Sequence, residues 1–292
     1  MFCDGSLTYL AEIMLKMKIK NKGCFFRFNS AFGNIMALQL AKNKKEQEEM
    51  SKRTKKAKQA EERDANQEER SFRHEWKHEI NPSDRLVIRQ RLRAVMKSDP
   101  HAVDGVYRIR SLYFDTLSDK ALREKADGVN RREKFRIRYY NEDVSFIQLE
   151  KKSKQNGLGR KQSVRLRPEE VQALLEGRLD WMLQSGEALV QELYAKMKAQ
   201  GLSPKTIVAY TREPFVYAPG NVRVTLDYDI RTGLGNVDFL NPASLTIPAE
   251  DKTAVLEVKW DAFLPAFIRD IVSLEGRQVT SFSKYAICRR YG

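Results

Sequence analysis

Cysteine is scarce: Cys3, Cys24 and Cys288 are the only three in 292 residues. So few, so widely spaced, exclude a disulfide framework and a thiolate zinc site, and a reducing, cytoplasmic setting is expected. Long apolar runs are missing too. The most apolar early stretch, residues 24–40, is interrupted by Arg27 and Asn29. It is shorter than the ~20 apolar residues of a bilayer span and lacks a cleavage pattern, so neither a membrane helix nor a signal peptide is expected. No base-reading motif is present either. The basic residues follow strand faces rather than one helix or an exposed aromatic platform, which argues against specific nucleic-acid binding.

What the chain has is positive charge, a formal +14, with 41% hydrophobic residues to build a core. An anionic partner is implied, whether nucleic acid, a membrane surface or a phosphorylated ligand. From residue 42 to 70 the sequence is almost entirely Lys, Arg, Glu, Gln and Ala without apolar periodicity, so it has nothing to bury and is expected to be disordered or a lone solvated helix. Residues 1–70 are therefore read as an N-terminal extension and 71–292 as one folded domain. The extension carries 15 Lys and Arg against 10 Asp and Glu, a net +5, which leaves +9 of the +14 on the folded part.

Beyond residue 71 the dominant signal is alternation of period two, which places residues two apart on one face of a strand. Over 72–80 one face carries Phe72, His74, Trp76, His78 and Ile80, and the other Arg73, Glu75, Lys77 and Glu79. The pattern recurs. Lys134, Arg136 and Arg138 share a face over 133–140, and Glu150, Lys152 and Lys154 over 146–154. Lys161 and Arg165 follow over 160–167, Tyr210 and Arg212 over 207–213, Arg223, Asp227 and Asp229 over 221–230, and Glu257 and Lys259 over 254–260. With 107–115 there are about eight strands, enough to close a small barrel. A solvent face usually mixes Thr, Ser, Gln and both charge signs; here Lys and Arg recur beside a handful of carboxylates. Turned inward, that face would make a cationic tunnel, tolerable only if water and a polyanion fill it.

Helix-like spacing over 82–96, 116–125, 168–175 and 186–200, with Asn81 before Pro82 as a cap, supplies cover for the other face. The expected fold is α+β: an antiparallel closed β-barrel of about eight strands forming a charged tunnel, with helices packed outside. His74 and His78 lie some 13 Å apart at ~3.3 Å per residue, too far to share a metal, and are expected to pack beside Trp76.

Taken in order, Arg73-His74-Glu75-Trp76-Lys77, Ser111-Leu112-Tyr113-Phe114-Asp115-Thr116, Arg132-Glu133-Lys134-Phe135-Arg136-Ile137-Arg138-Tyr139, Leu149-Glu150-Lys151-Lys152-Ser153, Tyr210-Thr211-Arg212, Leu256-Glu257-Val258-Lys259 and Phe282-Ser283-Lys284-Tyr285 resemble the VTC-type polyphosphate polymerase domain. That domain is a branch of the triphosphate tunnel metalloenzymes related to CYTH domains, and the resemblance runs from about residue 71 to 291. It implies that Lys77, Arg136, Arg138, Lys152, Lys161, Arg212 and Lys284 grip successive phosphates, with Arg136, Arg138, Lys152 and Arg212 holding the nucleotide and Tyr210 adding a hydroxyl donor. It also implies transfer of the γ-phosphate of ATP to a growing inorganic polyphosphate chain. A mixture of bidentate guanidinium and movable ammonium groups suits a polymer that must be held yet slide.

Glu257, on the predicted inner face, is the candidate ligand for Mn²⁺ or Mg²⁺, its structural alternative being an ion pair with Lys259 or an Arg. Glu75, Glu150 and Asp227 are either secondary metal ligands or partners that orient basic neighbours. One departure from the family pattern is Ser281, where a second basic residue three positions before Lys284 is expected. Hydrolysis of inorganic triphosphate, with water as nucleophile, and a non-catalytic polyphosphate-binding module are the competing readings. The basic tail could dock the protein to RNA, anionic lipid or a membrane protein.

Met50-Ser51-Lys52-Arg53 reads as a natural start, which makes residues 1–49 the product of an over-extended gene start. N-terminal sequencing of the natively expressed protein is expected to begin at or after Met50; peptides from before it contradict the reading.

Overall fold

A computed structural model describes residues 73–156, 158–250, 253–274 and 279–290. The expectations for residues 1–70, including the start at Met50, lie outside them. Ten strands run in chain order: β1 (His74–Ile80), β2 (Lys97–Ser98), β3 (Tyr107–Asp115), β4 (Arg132–Tyr140), β5 (Ile147–Gln155), β6 (Leu158–Leu166), β7 (Ser203–Tyr217), β8 (Val222–Thr232), β9 (Ile247–Pro248) and β10 (Ala254–Trp260). The helices are α1 (Pro82–Val95), α2 (Lys120–Ala126), α3 (Pro168–Leu175), α4 (Asp180–Leu183), α5 (Ala188–Gln200), α6 (Ala266–Val272) and α7 (Lys284–Cys288).

Eight strands form one antiparallel sheet in the order β1-β10-β8-β7-β3-β4-β5-β6, with β2 and β9 as short additions beside β7 and β8. Among the described residues β1 and β6 are the two ends of this path, which makes the sheet a half-barrel of eight strands. The sheet is strongly curled. Flat, the six intervals from β1 to β5 would separate them by ~29 Å, yet Lys152 on β5 reaches Glu75 on β1 at 3.4 Å. The free edge of β1 is in part satisfied by the chain before α7, since the Thr280 amide donates to the Lys77 carbonyl at 2.7 Å.

The apolar halves of the alternating strands face outward and set where the helices lie. Leu112, Phe114, Phe135, Ile137 and Leu149 pack against Val171, Leu174, Met182 and Leu193 of α3 to α5. Ile80, Val224, Leu226, Leu256 and Val258 pack against Ile88 and Leu92 of α1 and Ile268 and Val272 of α6. α1 starts as its sequence dictates: Asn81 accepts from the Asp84 amide at 2.8 Å, and Asp84 accepts from the Asn81 amide at 3.1 Å, a capping box with Pro82 in the first turn. His74 stacks on Trp260 at 5.2 Å, in keeping with a packing role.

α7 is different, because it packs on the concave side. Tyr285, Ile287 and Cys288 cover the inward apolar residues Val208, Ile230 and Val255. Its place is fixed by two aspartates near α2. Asp115, fully buried, accepts from the amides of Thr116, Ala121 and Leu122 and from the Tyr285 hydroxyl at 2.8 Å. Asp119 receives Arg289 at 2.8 and 3.0 Å. Asp115→Ala is expected to lower unfolding free energy in urea by about 3 kcal/mol, since it strands buried donors, and Tyr285→Phe by about 1 kcal/mol. An Asp115→Ala protein as stable as wild type contradicts this role.

Candidate functional site

The polar halves of the same strands meet on the concave face. Because β1 and β10 pair with Lys77 opposite Glu257, and β4 and β5 with Arg136 opposite Glu150, cations and carboxylates arrive as cross-strand neighbours. All nine residues singled out from the sequence lie here, joined in two chains of contact.

In the first chain, Lys152 meets Glu75 at 3.4 Å, and Glu75 meets Lys77 at 3.0 Å. Lys77 is 3.4 Å from Glu257, which receives Arg212 at 3.2 Å. Arg212 grips Asp227 bidentately at 2.7 and 2.8 Å, and Asp227 also holds Lys284 at 2.6 Å. The Lys284 ammonium lies 4.7 Å from the centre of the Tyr210 ring, and the Tyr210 hydroxyl accepts from Arg138 at 3.1 Å. In the second, Lys161 and Arg136 flank Glu150 at 2.5 and 2.6 Å, and Arg136 donates to the Tyr113 hydroxyl at 2.8 Å.

Four inward carboxylates therefore serve as counter-charges. Burial opposes ionisation of Glu150, but Arg136, Arg138 and Lys161 outweigh it and hold its carboxyl below the usual range. Asp227 behaves likewise under Arg212 and Lys284, and Glu257 under Lys259, Lys77 and Arg212. Of the two roles open to Glu75, Glu150 and Asp227, metal ligand or partner of basic neighbours, the contacts in this structure are with basic neighbours.

Asp229 does not join them. β7 and β8 slip register between Ala209 and Thr211, and Asp229 takes a positive φ of 49° with its side chain 55% exposed against Arg231. A bulge of this kind flips the residues beyond it, so Ile230 turns inward where alternation placed Asp229. Ser281, at the position of the missing basic residue, is exposed.

Three further inward residues are not among the nine: Lys134 and Lys259, which alternation places on the charged faces, and Tyr113. Lys259 bridges Glu257 at 3.3 Å and Glu75 at 3.7 Å; its position two residues after Glu257 was the available signal. Lys134 and Tyr113 face each other, the ammonium 5.6 Å from the ring centre. Burial of Tyr113 disfavours its phenolate, yet Arg136, Lys134 and Arg138 prevail and bring the phenol down to about 7. Burial, with Lys152, Arg136 and Lys77 nearby, brings the Lys134 ammonium down to about 8 against the pull of Tyr113.

A divalent ion would find hard oxygen donors in Glu75 and Glu257, which lie close enough to share both Lys77 and Lys259. Among the described residues no group of three or more Asp, Glu, His or Cys converges. The donor set thus fits an ion that brings phosphate oxygens as its remaining ligands, as Mg²⁺-type sites commonly do, and not an all-protein cage.

The site is thus the concave face of a curled antiparallel sheet that carries Lys, Arg and a few carboxylates, with most helices outside. The sequence model of the VTC domain matches residues 72–291, and the chain belongs to that family. No curated protein matches it by sequence. Among solved structures it is similar to an adenylyl cyclase candidate from Hippeastrum with a dominant triphosphatase activity (14% identity, 75% of this chain and 95% of that chain covered, TM-score 0.44). It is also similar to an adenylate cyclase candidate from Bacillus halodurans (13% identity, 63% and 78% covered, TM-score 0.38) and to a protein from Pyrococcus horikoshii (14%, 68% and 84%, TM-score 0.34). No helix among the described residues is long and apolar enough to cross a membrane.

Tyr113 and Lys134 generate a pH dependence whose sign follows from linkage. Both titrate lower in the native state than their unfolded values of about 10, so between about pH 7 and 10 the unfolded chain binds more protons and stability rises with pH. The melting temperature of wild type is expected to gain on that of Tyr113→Phe as pH goes from ~7 to ~9; parallel pH profiles would refute the assignment.

Proposed function

We propose that residues 71–292 form a polyphosphate polymerase domain, in which the curled sheet acts as a basic tunnel and a terminal oxygen of an inorganic polyphosphate chain attacks the γ-phosphate of ATP, breaking its bond to the β-phosphate and releasing ADP. The observation that carries the reading is the excess of inward cations over carboxylates, on strands that belong to the VTC family. A phosphate chain supplies the missing negative charge along the whole face.

Phosphoryl transfer asks the protein chiefly for alignment and for charge stabilisation on the equatorial oxygens. Arg136, Arg138 and Arg212 are the bidentate grips, and Arg138 and Arg212 are each oriented by a defined partner, Ser111 and Asp227. Lys77, Lys152, Lys161 and Lys284 are ammonium contacts that must leave a carboxylate to reach a phosphate, which makes them exchangeable as a chain advances. Tyr210 receives Arg138 at its hydroxyl while Lys284 lies over its ring. Glu257, with Glu75 beside it, would hold Mn²⁺ or Mg²⁺, which supplies Lewis-acid neutralisation of phosphate charge when bound. No covalent nucleophile is needed from the protein.

Hydrolysis in the same tunnel is the second reading. It is favoured by α7, which occupies part of the concave face where an elongating chain would have to pass.

Full-length protein with ATP and Mn²⁺, its products resolved by gel electrophoresis, tests the choice. Chains longer than the input are expected, and Arg136→Ala or Glu257→Ala should each reduce product by about a hundredfold, as loss of one preorganised charge contact does in other enzymes. Orthophosphate without chain growth would replace polymerase by triphosphatase; tight polyphosphate binding without ATP turnover would leave a binding module.

A further inference from the structure

The concave face contains a cation that no carboxylate meets among the described residues, its one acidic neighbour being the Tyr113 phenol. Lys134 has no carboxylate partner among the described residues, and its neighbours Lys152, Arg136 and Lys77 are cations whose own charges are already met by Glu75, Glu150 and Glu257. An ammonium placed among like charges in a partly buried wall destabilises the protein unless something else neutralises it. A methionine would fill the same space without that cost.

Tyr113 completes the corner. Its ring is held by stacking on Tyr285 at 4.9 Å and 20°, and its oxygen accepts from Arg136 at 2.8 Å. In the protonated form, which prevails below about pH 7 and which an arriving anion favours, its own proton is left to donate.

We propose that Lys134 and the Tyr113 hydroxyl form a further anion subsite, which takes one phosphoryl group of an oligophosphate beyond those held at Arg136 and Arg138. The inference rests on the polyphosphate reading above and deepens it by adding a layer to the bound chain. β4 places Lys134 two residues before Arg136 on the same face, so a ligand held at Arg136 and Arg138 continues into this corner only if it is long enough. An arriving phosphoryl anion favours the charged ammonium and the protonated phenol, the two forms from which the neighbouring cations shift these groups when no anion is bound.

The test is calorimetric titration of the full chain, without metal and with chelator, using inorganic tripolyphosphate and pyrophosphate as probes. Lys134→Met is expected to weaken tripolyphosphate binding by about tenfold or more and pyrophosphate binding by less than about threefold, while raising the melting temperature of the unliganded protein. Tyr113→Phe, which keeps the stacking, should weaken tripolyphosphate by about three- to tenfold. Tripolyphosphate affinity in Lys134→Met within about twofold of wild type overturns the subsite, as does a variant that loses both probes equally. If Lys134→Met does not fold, Lys134→Gln is judged by the same criteria. Failure of the wild-type protein to bind either probe would instead sink the polyphosphate reading itself, and this subsite with it.

Discussion

Charge imbalance on the concave face is the constraint on which the rest depends. Glu75, Glu150, Asp227 and Glu257 are shared among Lys77, Lys152, Lys259, Arg136, Lys161, Arg212 and Lys284, so each carboxylate serves two or three cations. Among the described residues Lys134 and Arg138 form no ion pair with a carboxylate, although Arg138 feels Glu150 at longer range. Such a face cannot be a hydrophobic core and gains little from ion pairs that must be desolvated. On the proposed function, a polyanion completes it.

The packing serves that face. Period-two strands let one set of residues carry the chemistry while the alternate set buries apolar side chains under α1, α6 and the α3–α5 group. Rigid cross-strand pairs fix where each charge points, which is the preorganisation that electrostatic catalysis requires. The Asp115–Tyr285 and Asp119–Arg289 contacts extend this to α7, so that Lys284 meets Asp227 and Tyr210 although it comes from a five-residue helix at the far end of the chain.

Much of this was legible in the sequence, because strand faces are read from alternation alone. All eight long strands, the capped α1 and the Pro168–Leu175 helix fall where periodicity and caps put them, and all nine site residues face inward. What escaped has physical reasons. The bulge at Asp229 depends on a local positive φ that Asp permits but does not require, and one slipped residue reverses every face beyond it. How far the sheet curls between β1 and β6 depends on long-range geometry. Lys284 was read as one more tunnel cation with no sign that its helix lies inside the curl. Lys134 was placed on the right face, but its significance lies in the carboxylate it lacks, and no linear pattern displays an absent partner.

The most direct test of the central claim is the thermal unfolding of the full-length protein with long-chain polyphosphate, compared with orthophosphate at equal phosphorus concentration, in chelator and low salt. If the concave face is an incomplete charge cluster awaiting a polyanion, polyphosphate should raise the melting temperature by several degrees, the increment should shrink as salt is added, and orthophosphate should do little. Equal melting temperatures with and without polyphosphate at low salt would contradict the account.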